Sequence, residues 1–345
     1  MLTKIHLENF TAFKNLDVEF SPGINVFIGA NGTGKTHIMK AAYAACDVSF
    51  PGKNFADKLE KVFSPSNHQI GRLTRRAQKS SKSKIIVTRK INEEICNLTL
   101  AFSNHTKEFA KATITGAKTW GAAQIQSVFI PVKDMLANSP GFRSSYEQRE
   151  LCFEAIYDDI LARAQLKPLK GPADKNRKTL MEILQNAIAG DVIERNEEFF
   201  LKNDQGELEF SLLAEGFRKL GLLYKLIQNG TLLNGAVLFW DEPEANLNPT
   251  LMKTVVEILL ALQQQGVQIF ISTHDYVFLK WLTLLTDVSS GDNVIYHLIY
   301  QDTITKEVSK ISTNNFYSIS PNALVDTFSN LMFFELEKSL GGLGK

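Results

Sequence analysis

Gly29 to Thr36 reads GANGTGKT and fits the spacing G-x-x-x-x-G-K-[ST]. The chemistry of that spacing is phosphate binding. Backbone N–H groups of a loop can wrap around phosphate oxygens at a helix N-terminus only where side chains leave room, which is the use of Gly29, Gly32 and Gly34, with Asn31 and Thr33 completing the cradle. Lys35 is placed to neutralise β- and γ-phosphates, and the Thr36 hydroxyl to join the shell of a Mg²⁺ ion. A second site follows AVLFW (Ala236 to Trp240). Asp241 ends that run as a Mg²⁺-organising carboxylate, and Glu242 beside it can orient and polarise an attacking water. Further on, VQIFIS leads into STHD, which presents His274 where a γ-phosphate sensor would sit. Taken singly, a glycine turn, a strand-capping DEP and a structural histidine would explain the same residues. In this order and together they specify a metal-assisted phosphoryl-transfer site.

Such residues need a frame. INVFI (Ile24 to Ile28) is a continuous apolar run, expected as a strand buried on both faces, and the Ala-rich stretch from His37 to Cys46 is expected as the helix after the loop. LTKIHL (residues 2 to 7) and LDVEF (residues 16 to 20) read as strands of a meander, and residues 85 to 115 as an antiparallel sheet. Residues 50 to 84 lose periodicity and carry Pro51 and Pro65, which predicts a long loop or peripheral lobe. SVFIPV (residues 127 to 132) is a short apolar run stopped by Pro131, and residues 145 to 166 and 178 to 190 show helical spacing. Val192 to Phe210 reads as a hairpin turning at NDQG, and Ala214 to Gln228 as a helix. A helix from about Thr250 to Gln265 and a strand from Val267 to Ser272 restore the α/β rhythm, before a closing hairpin at 295 to 312 and a helix from Asn322 to Lys338. The expected fold class is α/β: a two-lobed nucleotide-binding core with an antiparallel β subdomain and an inserted helical lobe. The expected division is 1–115 for the first part of the core with the phosphate loop and antiparallel sheet, 116–210 for the inserted lobe, and 211–345 for the second half of the core.

The chain has 345 residues, 44% of them hydrophobic and 22% charged, an ordinary globular composition. With 38 Lys+Arg against 37 Asp+Glu, bulk charge favours no class of partner. Locally the picture differs. Arg72, Arg75, Arg76, Lys79, Lys82, Lys84, Arg89 and Lys90 follow one another across residues 72–90 without an acid, a candidate contact for the phosphate backbone of a nucleic acid. A solvated loop or a surface for an acidic protein would carry the same residues. Trp120 is the one aromatic considered as an exposed stacking residue. Cys46, Cys96 and Cys152 are isolated and odd in number, which implies neither a disulfide framework nor a zinc cluster and fits a reducing cytoplasm. No apolar run approaches the roughly 18 residues that span a bilayer, and Glu8 arrives before a signal-like stretch forms, so a cytoplasmic protein without membrane contact is expected.

The order of opening hairpin (IHLENFTAFKNLDVEF), phosphate loop, SLLAEG turn, DEPEANLNP and STHD resembles the ABC-type ATPases of the RecF, SMC and OLD group. The long interval between Lys35 and Asp241 argues against a compact ring-forming or GTPase-type core. The resemblance implies an ATP- and Mg²⁺-dependent ATPase acting as a homodimer or higher assembly, with the signature turn Ala214-Glu215-Gly216 of one subunit closing on the phosphate loop of another. In the group this turn usually begins with Ser; here it begins with Ala214, leaving the Gly216 backbone and the helix N-terminus to offer positive charge, with Arg218 and Lys219 as substitutes. Glu244 to Pro249 resembles the dimer-contact loop. The group's glutamine loop is unassigned, because Gln124 and Gln126 precede SVFI instead of following it. Small stand-alone ATPases of this group are paired in bacteria with a separate effector, often a nuclease, in anti-phage defence. The expectation is therefore an ATPase, slow alone, that controls an effector encoded nearby. The alternatives are a RecF-like DNA-binding repair ATPase and a slow-turnover nucleotide-gated scaffold. Acids after His274 are scattered, so no nuclease is expected in cis, and the chain lacks the heptads of SMC arms.

Overall fold

A computed structural model describes residues 1–149, 151–171, 174–302, 304–320 and 323–339. The chain begins with a hairpin, β1 (Leu2–Phe10) and β2 (Phe13–Glu19), whose apolar residues alternate with polar ones and so bury one face only. β3 (Ile24–Ile28) is buried at every position and runs through the glycine loop into α1 (Lys35–Asp47). Next come α2 (Phe55–Phe63), β4 (Lys82–Ile91), β5 (Glu94–Ser103), β6 (Thr113–Thr115), α3 (Ala117–Trp120) and β7 (Ser127–Ile130). The middle of the chain supplies α4 (Phe142–Arg149), α5 (Ala155–Ala164), α6 (Lys175–Ile188), β8 (Asp191–Arg195), β9 (Glu198–Asn203) and β10 (Gly206–Glu209). The last part holds α7 (Glu215–Gln228), β11 (Val237–Asp241), α8 (Pro249–Gln264), β12 (Gln268–Thr273), α9 (Tyr276–Leu285), β13 (Val294–Gln301), β14 (Val308–Thr313) and α10 (Ala323–Ser339).

A central six-stranded sheet has the order β14-β13-β3-β12-β11-β7. Its pairs are parallel except for β14, which returns antiparallel at one edge. The register sets Thr273 opposite Ile28 and Asp241 opposite Ser272, so β3, β11 and β12 finish at one edge. Both faces are covered, as a parallel sheet requires. On one face Phe27, Phe129, Phe239 and Phe270 join the core beneath α1 and the antiparallel sheet β2-β1-β4-β5-β6. The Phe239 and Phe270 rings stack with centroids 4.8 Å apart. On the other face Val26, Ile28, Leu238, Trp240, Ile269 and Ile271 meet the apolar stripes of α6, α7, α8 and α9. The buried Gln268 ties the layers together: its amide donates to the carbonyls of Leu2 at 2.8 Å and Ser21 at 2.7 Å and accepts from the Leu2 N–H at 2.9 Å.

The α/β class and the antiparallel subdomain agree with the sequence reading. Several local expectations are corrected. Residues 55 to 63, placed in a long loop, form α2, started by Asn54 Oδ1, which accepts from the N–H of Ala56 at 2.9 Å and of Asp57 at 3.1 Å. Ser127–Ile130, assigned to the inserted lobe, is the edge strand of the central sheet. Val192 to Phe210 holds three strands, not two, because a second turn at Asn196 and Glu197, both at positive φ, precedes the one at NDQG. Asn322, the start expected for the last helix, lies outside the described residues. Trp120 is fully buried and stacks against no solvent: its indole N–H donates to the Ala45 carbonyl at 2.8 Å. Arg89, counted in the basic segment, is buried with it, the guanidinium lying 4.5 Å from the ring centroid and donating to the carbonyls of Trp120 and Ala123. Among the described residues no helix is long and apolar enough to cross a membrane. Trp120→Ala is expected to lower stability by about 3–5 kcal/mol in urea denaturation, the loss typical of a fully buried large aromatic; a change below about 1 kcal/mol would contradict this packing role.

Candidate active site

The phosphate loop is shaped by two close approaches. A Cβ at Gly29, which has φ 150°, would stand 2.1 Å from the Ile299 carbonyl oxygen, and one at Gly34, φ 95°, would stand 2.5 Å from the Phe13 ring. β13 below and the opening hairpin beside the loop therefore demand glycine at both ends. Asn31 and Gly32 are exposed at its crest, and the Thr33 hydroxyl donates to the Ala30 carbonyl at 2.9 Å. A backbone turn of this kind at a helix N-terminus fits a polyphosphate. Lys35 is buried and folds back across the loop, donating to the carbonyls of Gly29 at 2.8 Å and Ala30 at 3.1 Å. Burial lowers its pKa, against the opposing pull of Glu242, Asp241 and Glu244.

In the first turn of α1, the Thr36 hydroxyl donates to both Asp241 oxygens, at 3.1 and 3.0 Å. Asp241 is buried, which raises its pKa, while hydrogen bonds from Ser272 and Thr36 lower it. A hydroxyl and a carboxylate at this distance are the hard oxygen donors that Mg²⁺ takes beside substrate phosphate and water, so the pair fits that ion. Elsewhere among the described residues no group of three His, Cys, Asp or Glu could hold a metal. Glu242 leaves the strand at φ 48°, a strained conformation for a non-glycine residue, with its N–H donating to the Ser272 carbonyl at 2.9 Å. The turn directs its carboxylate to His274, whose Nδ1 lies 3.2 Å from Glu242 Oε1.

Glu244 was read in the sequence only as part of a dimer-contact loop. The structure turns it inward: Oε1 accepts from the Thr273 hydroxyl at 2.6 Å and the His274 N–H at 3.4 Å, so it braces the strand end that carries the histidine. Its other oxygen is buried with no partner among the described residues, and burial raises its pKa. No local signal marks this role, which depends on the β11–β12 pairing. The signature turn is laid on the same loop. Glu215 accepts from Asn246 Nδ2 at 2.9 Å, and the buried Gly216 leaves a Cβ only 3.2 Å from Leu247 Cδ1. Among the described residues no hydrogen bond or ion pair joins residues 214–216 to the phosphate loop of this chain. Ala214 occupies the N-cap of α7 without a side-chain cap. The two suggested cationic substitutes are engaged elsewhere. Arg218 Nε lies 3.1 Å from Asp134 Oδ2, and Lys219 is buried, its ammonium on the Ala245 carbonyl and its pKa lowered by burial.

A cavity of about 760 Å³ opens beside the loop, walled by Gly29 to Thr33, Ala12, Arg75, His274, Tyr300 and Lys306. Of the basic segment, Arg72, Arg76, Lys79, Lys82 and Lys84 are exposed and none makes an ion pair among the described residues, whereas Lys90 pairs with Glu93.

Over residues 24–280 the chain matches the family described as "AAA domain, putative AbiEii toxin, Type IV TA system". The chain belongs to that family. With its fold, this makes it an ABC-type P-loop ATPase of the RecF/SMC group. The DNA replication and repair protein RecF of Streptococcus uberis is 40% identical over 75 residues, 21% of this chain and 20% of that protein. RecF of Limosilactobacillus reuteri is 32% identical over 91 residues, 24% of each. The alignments thus span under a quarter of the relatives' length. Among solved structures, an SMC head bound to the C-winged helix domain of ScpA has a TM-score of 0.58 at 14% identity, covering 92% of this chain and 98% of that one. An SMC head with an extended coiled coil, bound to the C-terminal domain of ScpA derived from Pyrococcus furiosus, has a TM-score of 0.55 at 12% identity over 97% and 99%. These neighbours share the fold.

Two outcomes follow from the site's geometry. Ala214→Ser supplies the absent N-cap and is expected to stabilise the protein by about 1 kcal/mol in chemical denaturation; no gain would mean that the α7 terminus is already satisfied. Glu244 has a raised pKa, so its buried charge costs stability at high pH, and the cost vanishes as pH falls through the raised value toward the ordinary 4.5. Glu244→Gln should therefore stabilise by on the order of 1 kcal/mol at pH 8 and by nearly nothing below pH 4.5. A pH-independent difference would contradict the burial argument.

Proposed function

We propose that this protein hydrolyses ATP with Mg²⁺ at a site completed by a second copy, and that the cycle controls a separate effector, a nuclease or toxin, in anti-phage defence. The observation that carries the catalytic part is the side-by-side placement of Thr36 on Asp241 and His274 by Glu242, at the sheet edge where Lys35 spans the glycine loop. In this reading the backbone of Gly29 to Gly34 and the Lys35 ammonium bind the triphosphate, and the ribose and base extend into the adjoining cavity. Thr36 and Asp241 hold the ion. When bound, Mg²⁺ neutralises charge that develops on the phosphates. Glu242 orients the attacking water and draws on its proton, and His274 holds that carboxylate while sensing the γ-phosphate. Catalysis is positional and electrostatic.

The dimer is supported by the signature turn, which contacts the Glu242-to-Pro249 loop of its own chain and leaves Leu212 69% and Phe217 37% exposed around it. Ala214, Glu215 and Gly216 would then meet the phosphate loop of the partner copy. Without a Ser hydroxyl at position 214 and without a free cation at 218 or 219, turnover by the protein alone is expected to be slow. The effector reading draws on the family description, and it implies a cytoplasmic setting. A second reading, a RecF-like DNA-binding repair ATPase, is favoured by the unpaired Arg72, Arg76, Lys79, Lys82 and Lys84.

Glu242→Gln is expected to lower kcat by about 100- to 1,000-fold while retaining ATP and trapping a nucleotide-bound dimer in gel filtration. Lys35→Ala should abolish binding of a fluorescent ATP analogue. Parental hydrolysis by the Glu242→Gln protein would remove the catalytic assignment. Measuring the ATPase rate with duplex DNA, and with the co-expressed product of the adjacent gene, separates the two readings. Stimulation by DNA alone favours repair, and a response to the partner alone favours effector control.

A further inference from the structure

The second half of α10 presents Leu331, Met332, Phe333, Phe334 and Leu336, each between 57% and 66% exposed. At 100° per residue these side chains recur on every side of the helix, with Glu335 and Glu337 between them, so no single packing surface could cover them all. Its own chain holds α10 near the beginning, where Phe328 stacks on Tyr276 with centroids 4.3 Å apart. From there the helix continues away from the body, so it cannot bend back to cover itself. α9 carries the complementary feature. Val277, Trp281 and Leu284 recur at i, i+4 and i+7 and wall a cavity of about 170 Å³ on its outer face, with Val277 37% and Leu284 62% exposed. That spacing is one side of a helix–helix seam, and among the described residues only α9 lines it, Phe328 of the same chain covering Tyr276 at its start. Glu335 and Glu337 are exposed on α10 without an ion-pair partner among the described residues, and two cations flank the seam: Lys280, which donates to the Tyr317 hydroxyl, a neutral partner, and Lys253, paired with Glu257 at 3.5 Å and 5.8 Å from the Trp281 ring.

We infer that α10 is a self-association arm: the projecting half of each copy lies in the α9 seam of a second copy, and the two arms pack on each other across the two-fold axis. Each arm then has the two surfaces its circumference requires. Five side chains of this size and the seams beneath them, contributed reciprocally, bury on the order of 1,500–2,000 Å², the scale of a stable interface. The contact uses no residue of the phosphate loop or signature turn, so it forms without nucleotide and is independent of the proposed ATP-driven closure.

The test is the mass of the full chain in solution without nucleotide, by light scattering after gel filtration. A dimer is expected for the parental protein and for Lys35→Ala, which separates this contact from any made through ATP. The double substitution Phe333→Glu with Phe334→Glu, and separately Leu284→Arg on the opposite surface, should each raise the dissociation constant about thirtyfold or more. Unchanged circular dichroism and fluorescent-nucleotide binding would show that both variants fold. In a Cys152→Ser background, mixing Leu284→Cys protein with Met332→Cys protein should give a disulfide-linked pair. A monomeric parental protein, a dimer that survives both substitutions, or a disulfide that forms only within one chain carrying both cysteines would overturn the inference.

Discussion

The parallel pairing of β12 with β3 on one side and β11 on the other is the constraint on which the site depends. Backbone hydrogen bonding sets Thr273 beside Ile28 and Ser272 beside Asp241, so the residues that follow each strand end emerge at one edge. A slip of one residue in a strand buried on both faces would exchange its Phe-lined face with its aliphatic one. The stacked Phe239 and Phe270 rings and the aliphatic face against α6 to α9 oppose that slip. Packing and chemistry are therefore one problem: what keeps the sheet in register also keeps Thr36 on Asp241.

The charges around that edge show how burial prepares the site. Lys35, Asp241, Glu244 and Lys219 are all withdrawn from water, and in each case desolvation is the main influence on the pKa. Each is held by specific partners, chiefly backbone carbonyls for the two lysines and hydroxyls for the two acids, which keeps the charged groups in place at a tolerable energy. His274, its side chain 48% exposed, and Glu242, 26% exposed, both remain within reach of solvent, as groups that must meet water and substrate require. The strain at Glu242 is local to the point where the chain has to turn its carboxylate out of the sheet plane.

Elements whose residues are sorted by contact with one large core were legible from the chain alone. INVFI, AVLFW and VQIFIS are recognisable as strands because apolar residues dominate both faces, the buried Asn25 and Gln268 being satisfied by hydrogen bonds, and the glycine loop is readable because its motif is local. α2 was missed because its amphipathic pattern is short and lies between prolines, with its start signalled only by Asn54. Trp120 and Arg89 were misread for one shared reason. Each has a neighbourhood that looks exposed in sequence, and each is buried by the other across a span no local pattern registers.

The chain by itself determined the chemical groups of the site and their order: glycine loop, Lys35, Thr36, Asp241, Glu242 and His274 are adjacent to strand ends whatever the surroundings. Only the tertiary structure decided that Glu244 turns inward to brace Thr273, that Arg218 and Lys219 are occupied by Asp134 and the Ala245 carbonyl, and that Arg89 serves the core instead of the surface. The physical reason is range. Motif chemistry and strand hydrophobicity act over a few consecutive residues, whereas the partner of a buried charge is chosen by whichever distant segment the sheet register and the layers above it bring within hydrogen-bonding reach.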